Sequence, residues 1–161
     1  MDIKYIIIQS TFAFFATLGF GILFNIKGRK LFYAGLGGGL SWFISLICQG
    51  IGFNVNASFF ISSIIFSLYS EVMARVLKTP VTTLIICALI PLVPGGGMYY
   101  TMYGAINGNI LESIKLGLNT LSSAGSLALG ILFVSTITRL FMSAKKKREF
   151  KELEKRAKNK K

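Results

Sequence analysis

The stretch Pro91-Leu92-Val93-Pro94-Gly95-Gly96-Gly97-Met98-Tyr99-Tyr100 lies within an apolar run that begins at Val81 and is long enough to cross a bilayer. Proline lacks an N–H and clashes with the preceding turn, and glycine loses the most backbone entropy on ordering. Two prolines and three glycines therefore break the helix. In hydrocarbon, broken backbone is tolerated only where protein or a wet cavity satisfies its polar groups. Transporters use such breaks to aim bare backbone groups at a solute. The stretch points to a polytopic membrane protein with a solute-handling break.

The composition agrees. The chain has 161 residues, 53% hydrophobic, with mean hydropathy +0.63. That is too apolar for an ordinary soluble domain, and the apolar residues come in long runs. Histidine is absent and Asp2 is the sole aspartate, so metal sites and Ser-His-Asp catalysis lack raw material. No cofactor and no metal are expected, and the chain is not read as an enzyme. Cys48 and Cys87 sit inside apolar runs and read as small buried hydrophobes. The net charge of +12 gathers largely between Lys145 and Lys161, which does not describe a nucleic-acid-binding face.

Working outward from the break, the sequence predicts an all-α fold with five spans. They cover about Ile6 to Phe24, Leu31 to Phe53, Ala57 to Leu77, Val81 to Tyr103 with the break at Pro91–Gly97, and Leu116 to Met142. Each is close to the ~20 residues that cross a ~30 Å hydrocarbon core. Residues 1–143 form the membrane domain and 144–161 a basic tail. The first span is too long for a signal peptide, and its positive cluster follows it. Asn107-Gly108 marks a turn, and Asn109 to Lys115 reads as a short interfacial helix. No internal repeat is evident.

Loop charges orient the chain. Lys27, Arg29 and Lys30 follow the first span, Arg75 and Lys78 the third, and Lys145 to Arg148 the fifth. With five spans all three clusters share one side, which the positive-inside rule makes cytoplasmic. The expectation is a multi-pass protein of the cytoplasmic membrane, N-terminus outside and C-terminus inside.

Four constellations are candidates for function. At the break, Pro91 and Pro94 should free the carbonyls of about Cys87 and Ile90. A new half-helix should expose N–H groups near Gly95, Gly96, Gly97 and Met98 with the positive end of a helix dipole, suited to a carboxylate. Tyr99, Tyr100 and Tyr103 follow within reach of a polar solute; the alternative is a structural kink. Glu71, the sole acid between Lys4 and Glu112, stands four residues before Arg75. It reads as a coupling or gating carboxylate or, alternatively, as a structural ion pair. Small residues four apart permit close helix approach: Gly35 and Gly39, Ala124 and Ala128, Ser126 and Gly130. In the tail, Phe150, Leu153 and Ala157 make a narrow apolar stripe. Glu152–Arg156 and Glu154–Lys158 are favourable pairs, for a helix on the inner leaflet or a solvated anchor.

These residues also resemble a family. Ala34-Gly35-x-Gly37 to Trp42, Ser70-Glu71-x-x-Ala74-Arg75-x-x-Lys78-x-Pro80, and Pro91-Leu92-Val93-Pro94-Gly95-Gly96-Gly97-x-Tyr99 are similar, in order, to the C-terminal half of the threonine/serine exporter (ThrE) family. In the split form of that family this half is a separate small subunit (YjjB-like). The resemblance runs from Ala34 to about Met142 and does not extend into the basic tail. It implies a two-component secondary exporter whose other half is a larger membrane protein with a soluble N-terminal portion. The implied solute is threonine or serine, or alternatively succinate or another C4-dicarboxylate. A homo-oligomer and a non-transporting scaffold subunit are the other readings. No Gly-x-x-x-x-Gly-Lys-[Ser/Thr] loop is present, so the chain is not itself an ATPase, and proton coupling is expected by elimination.

Overall fold

The computed structural model describes residues 2–158, and every element in it is helical. The order is α1 (Ile3–Leu23), α2 (Arg29–Ile51), α3 (Val55–Val76), α4 (Val81–Leu89) with a 3-10 turn at Ile90–Leu92, α5 (Gly95–Ile106) and α6 (Ile110–Lys158). Four helices are long and apolar enough to cross a membrane. The α4 and α5 segments, bent by 54° at the break, make a fifth span if taken as one.

Local sequence sets the helix ends. Asn54 caps α3, its Oδ1 accepting the Ala57 N–H at 2.8 Å. Gly52 closes α2 at φ 108, and Gly108 turns α5 into α6 at φ 80. The other two junctions place Asn25 (φ 58) and Lys78 (φ 47) in the left-handed region. Each is followed by a six-to-one bond: the Ile26 N–H to Gly21 O at 2.9 Å, and the Thr79 N–H to Ala74 O at 3.0 Å.

Helix α2 is central, with α1, α3 and α4 around it; α6 packs on α3, and α5 packs on α6. Small residues make this possible. Gly35 and Gly39 lie against Leu18, Phe14 and the Ser10 carbonyl of α1, and Gly38 lies against Thr17. Gly37 faces Ala88 and Tyr69. On α6, Gly130 sits against Ser63 and the Phe60 carbonyl, whereas Ala124 and Ala128 lie on the open face. Two apolar clusters fill the remainder. Ala34, Ala74, Leu84 and Cys87 meet near one end, and Phe59, Phe66, Ala88, Leu92 and Leu127 near the other.

Two sequence expectations change. Asn109 to Lys115 is not a separate interfacial helix: Ile110 opens α6, which runs unbroken to Lys158. No proline interrupts it, and isolated glycines at 117, 125 and 130 weaken a helix without ending it. The fifth span is correspondingly longer, its apolar part covering 35 residues from Ile110 to Ala144. The tail pairs and stripe from Phe150 onward lie outside the described side chains.

The lengths also fix where the break sits. At 1.5 Å per residue, α3 measures about 33 Å and the apolar part of α6 about 52 Å. Asn56, in the first turn of α3, bonds to Ser122 and Ser123 of α6. The first ten or so residues of α6 therefore extend past the end of α3. Helix α5 runs beside them, with Gly97 against Thr120, Thr101 against Gly117, and Gly104 against Ser113. The break lies at the level where α3 begins.

Candidate functional site

The prolines break the helix as their chemistry dictates, but the chain recaptures the carbonyls they release. The Ile90 N–H donates to Cys87 O, and the Val93 N–H donates to Ile90 O at 3.2 Å, forming the 3-10 turn. The neighbouring Ala88 carbonyl accepts the Ser41 hydroxyl of α2 at 2.8 Å. Those carbonyls are therefore not free for a solute.

The N–H side differs. The Gly95 N–H turns back to Val93 O at 2.7 Å, and the Met98 N–H donates to Pro94 O at 3.1 Å. No side chain caps α5. Among the described residues the Gly96 and Gly97 N–H groups have no partner. The bare donors are thus narrower than the sequence suggests: two residues rather than four.

Pro94 and Gly97 line a pocket of about 390 Å³. Its other walls are Asn54, Val55 and Asn56 at the α3 start, and Leu116, Asn119, Thr120 and Ser123 of α6. Hydrogen bonds fix part of the lining. The Asn56 Nδ2 donates to Ser122 Oγ at 2.7 Å, and Ser123 Oγ donates to Asn56 Oδ1 at 2.8 Å. Thr120 donates to the Leu116 carbonyl at 2.7 Å. The lining mixes amide and hydroxyl groups with the apolar Val55, Pro94 and Leu116, and none of its side chains is ionisable. Among the described residues the dipole ends of α3 and α5 supply its fixed positive potential. Such a site suits a small solute bearing one carboxylate and a hydroxyl.

The other candidates lie apart. Pro91 is half-buried in the 3-10 turn, and Gly95 and Gly96 face open space. Tyr99 and Tyr100 are exposed outside the pocket lining, 63% and 59% accessible, and Tyr99 stacks on Tyr103 with centroids 6.1 Å apart. Glu71 is buried near the opposite end of α3 and accepts from the Arg75 guanidinium at 2.8 Å. Fifteen residues of helix separate it from Asn56, about 22 Å. Gly35 and Gly39 remain at the α1–α2 contact.

The sequence reading missed Asn119, Thr120 and Ser123 as pocket residues. It also missed a buried hydroxyl seam: Ser58, Ser62, Ser63, Ser67 and Ser70 of α3 with Ser41 and Ser45 of α2, all fully buried. The signal was available as serines recurring at helical spacing within an apolar span. Ser62 donates to the Ser41 carbonyl at 2.5 Å. Ser67 and Ser70, one turn or less from Glu71, have hydroxyls with no partner among the described residues.

Comparison with known proteins adds one finding. The sequence profile of the family described as "Threonine/Serine exporter, ThrE" matches residues 9–137, most of the chain. The chain belongs to the ThrE family. The match takes in the break, the Glu71–Arg75 pair and the small-residue run of α2. No curated protein and no solved structure matches the chain. Membership makes this a multi-pass membrane protein of exporter type, from a family of transporters rather than enzymes.

Proposed function

We propose that the chain is one subunit of a two-component secondary exporter, and that the pocket lined by Pro94 and Gly97 holds the carboxylate of a threonine- or serine-like solute. The observation that carries this reading is an uncharged pocket with amide and hydroxyl groups in its lining, walled by Gly97, whose N–H has no partner among the described residues, at a helix start. A dicarboxylate is less well served, because no cation lines the pocket for its second charge. On the N-out orientation expected from the basic clusters, this pocket is the extracytoplasmic release site. The hydroxyl seam supplies the route toward it. The unpartnered Ser67 and Ser70 beside Glu71 are groups that a passing solute or water satisfies, with Glu71 as coupling or gating carboxylate.

A larger partner half is supported by what the chain leaves uncovered. Met98, Tyr99, Met102, Tyr103, Ile106, Leu111 and Leu118 are each more than half exposed on the α5–α6 hairpin. We read that contiguous apolar surface as the face that the larger half covers. Residues 144–161 act as a cytoplasmic basic anchor.

The test is Gly96→Val. A Cβ at Gly96 meets nothing within 4 Å, so the fold accommodates a side chain there. Efflux of threonine from cells expressing both halves should fall at least tenfold, with abundance and co-purification of the halves unchanged. Full efflux by the variant overturns the site.

A further inference from the structure

The opposite end of the bundle carries a second pocket, of about 460 Å³, with different chemistry. It forms where the α1–α2 connection meets the α3–α4 connection, and its polar walls are Asn25, Lys27, Lys30, Thr79 and Thr83. The two left-handed residues, Asn25 and Lys78, set the course of these connections. Lys30 stands in the first turn of α2 and Thr83 in the first turn of α4, so two positive helix ends add to two ammonium groups. No acid lines the pocket among the described residues, and Glu71 of α3 is paired with Arg75. Two lysines, two threonine hydroxyls and a carboxamide make a donor-rich site for a tetrahedral oxyanion.

Its surroundings select the source of that anion. Phe24 lines it, and Ile22 and Leu23 just before it and Phe32 two residues after Lys30 are, like Phe24, more than half exposed at the ends of α1 and α2. That pairing of a donor pocket with exposed apolar side chains, at the ends of helices long and apolar enough to span a membrane, matches a phosphate joined to acyl chains. We propose that this pocket binds the headgroup phosphate of one anionic phospholipid, in the leaflet at the basic end of the bundle. Bound there, the lipid ties the α1–α2 connection to the α3–α4 connection.

The experiment is native mass spectrometry of the purified full-length chain in neutral detergent, titrated with phosphatidylglycerol or phosphatidylcholine. One phosphatidylglycerol should remain bound at a roughly tenfold lower lipid concentration than phosphatidylcholine requires. Lys27→Ala with Lys30→Ala should abolish that preference, and Thr83→Val should weaken it. Lys145→Ala with Lys146→Ala and Lys147→Ala should leave it intact, which separates the pocket from the polybasic tail. Lys27 is exposed on the α1–α2 connection and Lys30 is partly exposed in the first turn of α2, so the double variant should keep its helical content, which circular dichroism checks. Equal retention of the two lipids overturns the proposal, as does loss only in the tail variant. Displacement of the lipid by equimolar inorganic phosphate also overturns it, by making the site one for a free anion.

Discussion

Two adjacent glycines at the break have opposite duties. Gly96 faces open space, whereas a Cβ at Gly97 runs into Thr120 Oγ1. Gly97 therefore sets how closely α5 approaches α6, and Gly96 leaves an N–H accessible. Gly97→Ala should destabilise the α5–α6 contact by about 1–3 kcal/mol, the usual penalty of overpacking. Thr120→Ala should recover much of it, because the obstructing hydroxyl and methyl are gone. Thermal unfolding of the two single variants and the double variant in detergent measures the coupling. An additive result contradicts the close approach. The sequence could not separate these glycines. Helical phase names a face, but which face meets α6 depends on the 54° bend.

At the scale of the element, the break is a device for leaving N–H groups bare while satisfying carbonyls. Cys87, Ala88 and Ile90 oxygens each find a donor, two in the 3-10 turn and one in Ser41. The sequence predicted bare groups on both sides, since Pro91 and Pro94 remove two donors. It could not foresee the recapture, which depends on a tight turn and on a serine 47 residues away. Restoring helix-forming residues should close the device. Pro94→Ala with Gly95→Ala and Gly96→Ala lets α4 continue into α5 and pairs the bare N–H groups with upstream carbonyls. Efflux should fall at least tenfold while membrane insertion persists, measured as transport against membrane abundance. Unchanged efflux reduces the break to a kink. For α6 the sequence placed the span well but cut it short at its start, because Glu112 and Lys115 resemble an interface. Two charges in the first turns of a long helix do not end it.

At the scale of the molecule, most of the architecture was legible, because runs of about 20 apolar residues have few alternatives to spanning helices. The site was less so. Pro94 and Gly97 were read from local chemistry, but Asn119, Thr120 and Ser123 reach the pocket only through the pairing of α6 with α3 and α5. The proposed orientation predicts that a cysteine at position 28 is labelled by a membrane-impermeant thiol reagent only from the cytoplasm, and one at position 55 only from outside. The reverse pattern contradicts it. The central claim is that the pocket recognises a carboxylate through backbone N–H groups. The direct measurement is threonine counterflow in proteoliposomes containing both halves, with threonine or its amino alcohol as competitor. The alcohol keeps the side chain and the amine but has no carboxylate. The account predicts that unlabelled threonine competes and that the amino alcohol does not, at a hundredfold excess on the order of 3 kcal/mol of discrimination. Equal competition by the two contradicts it.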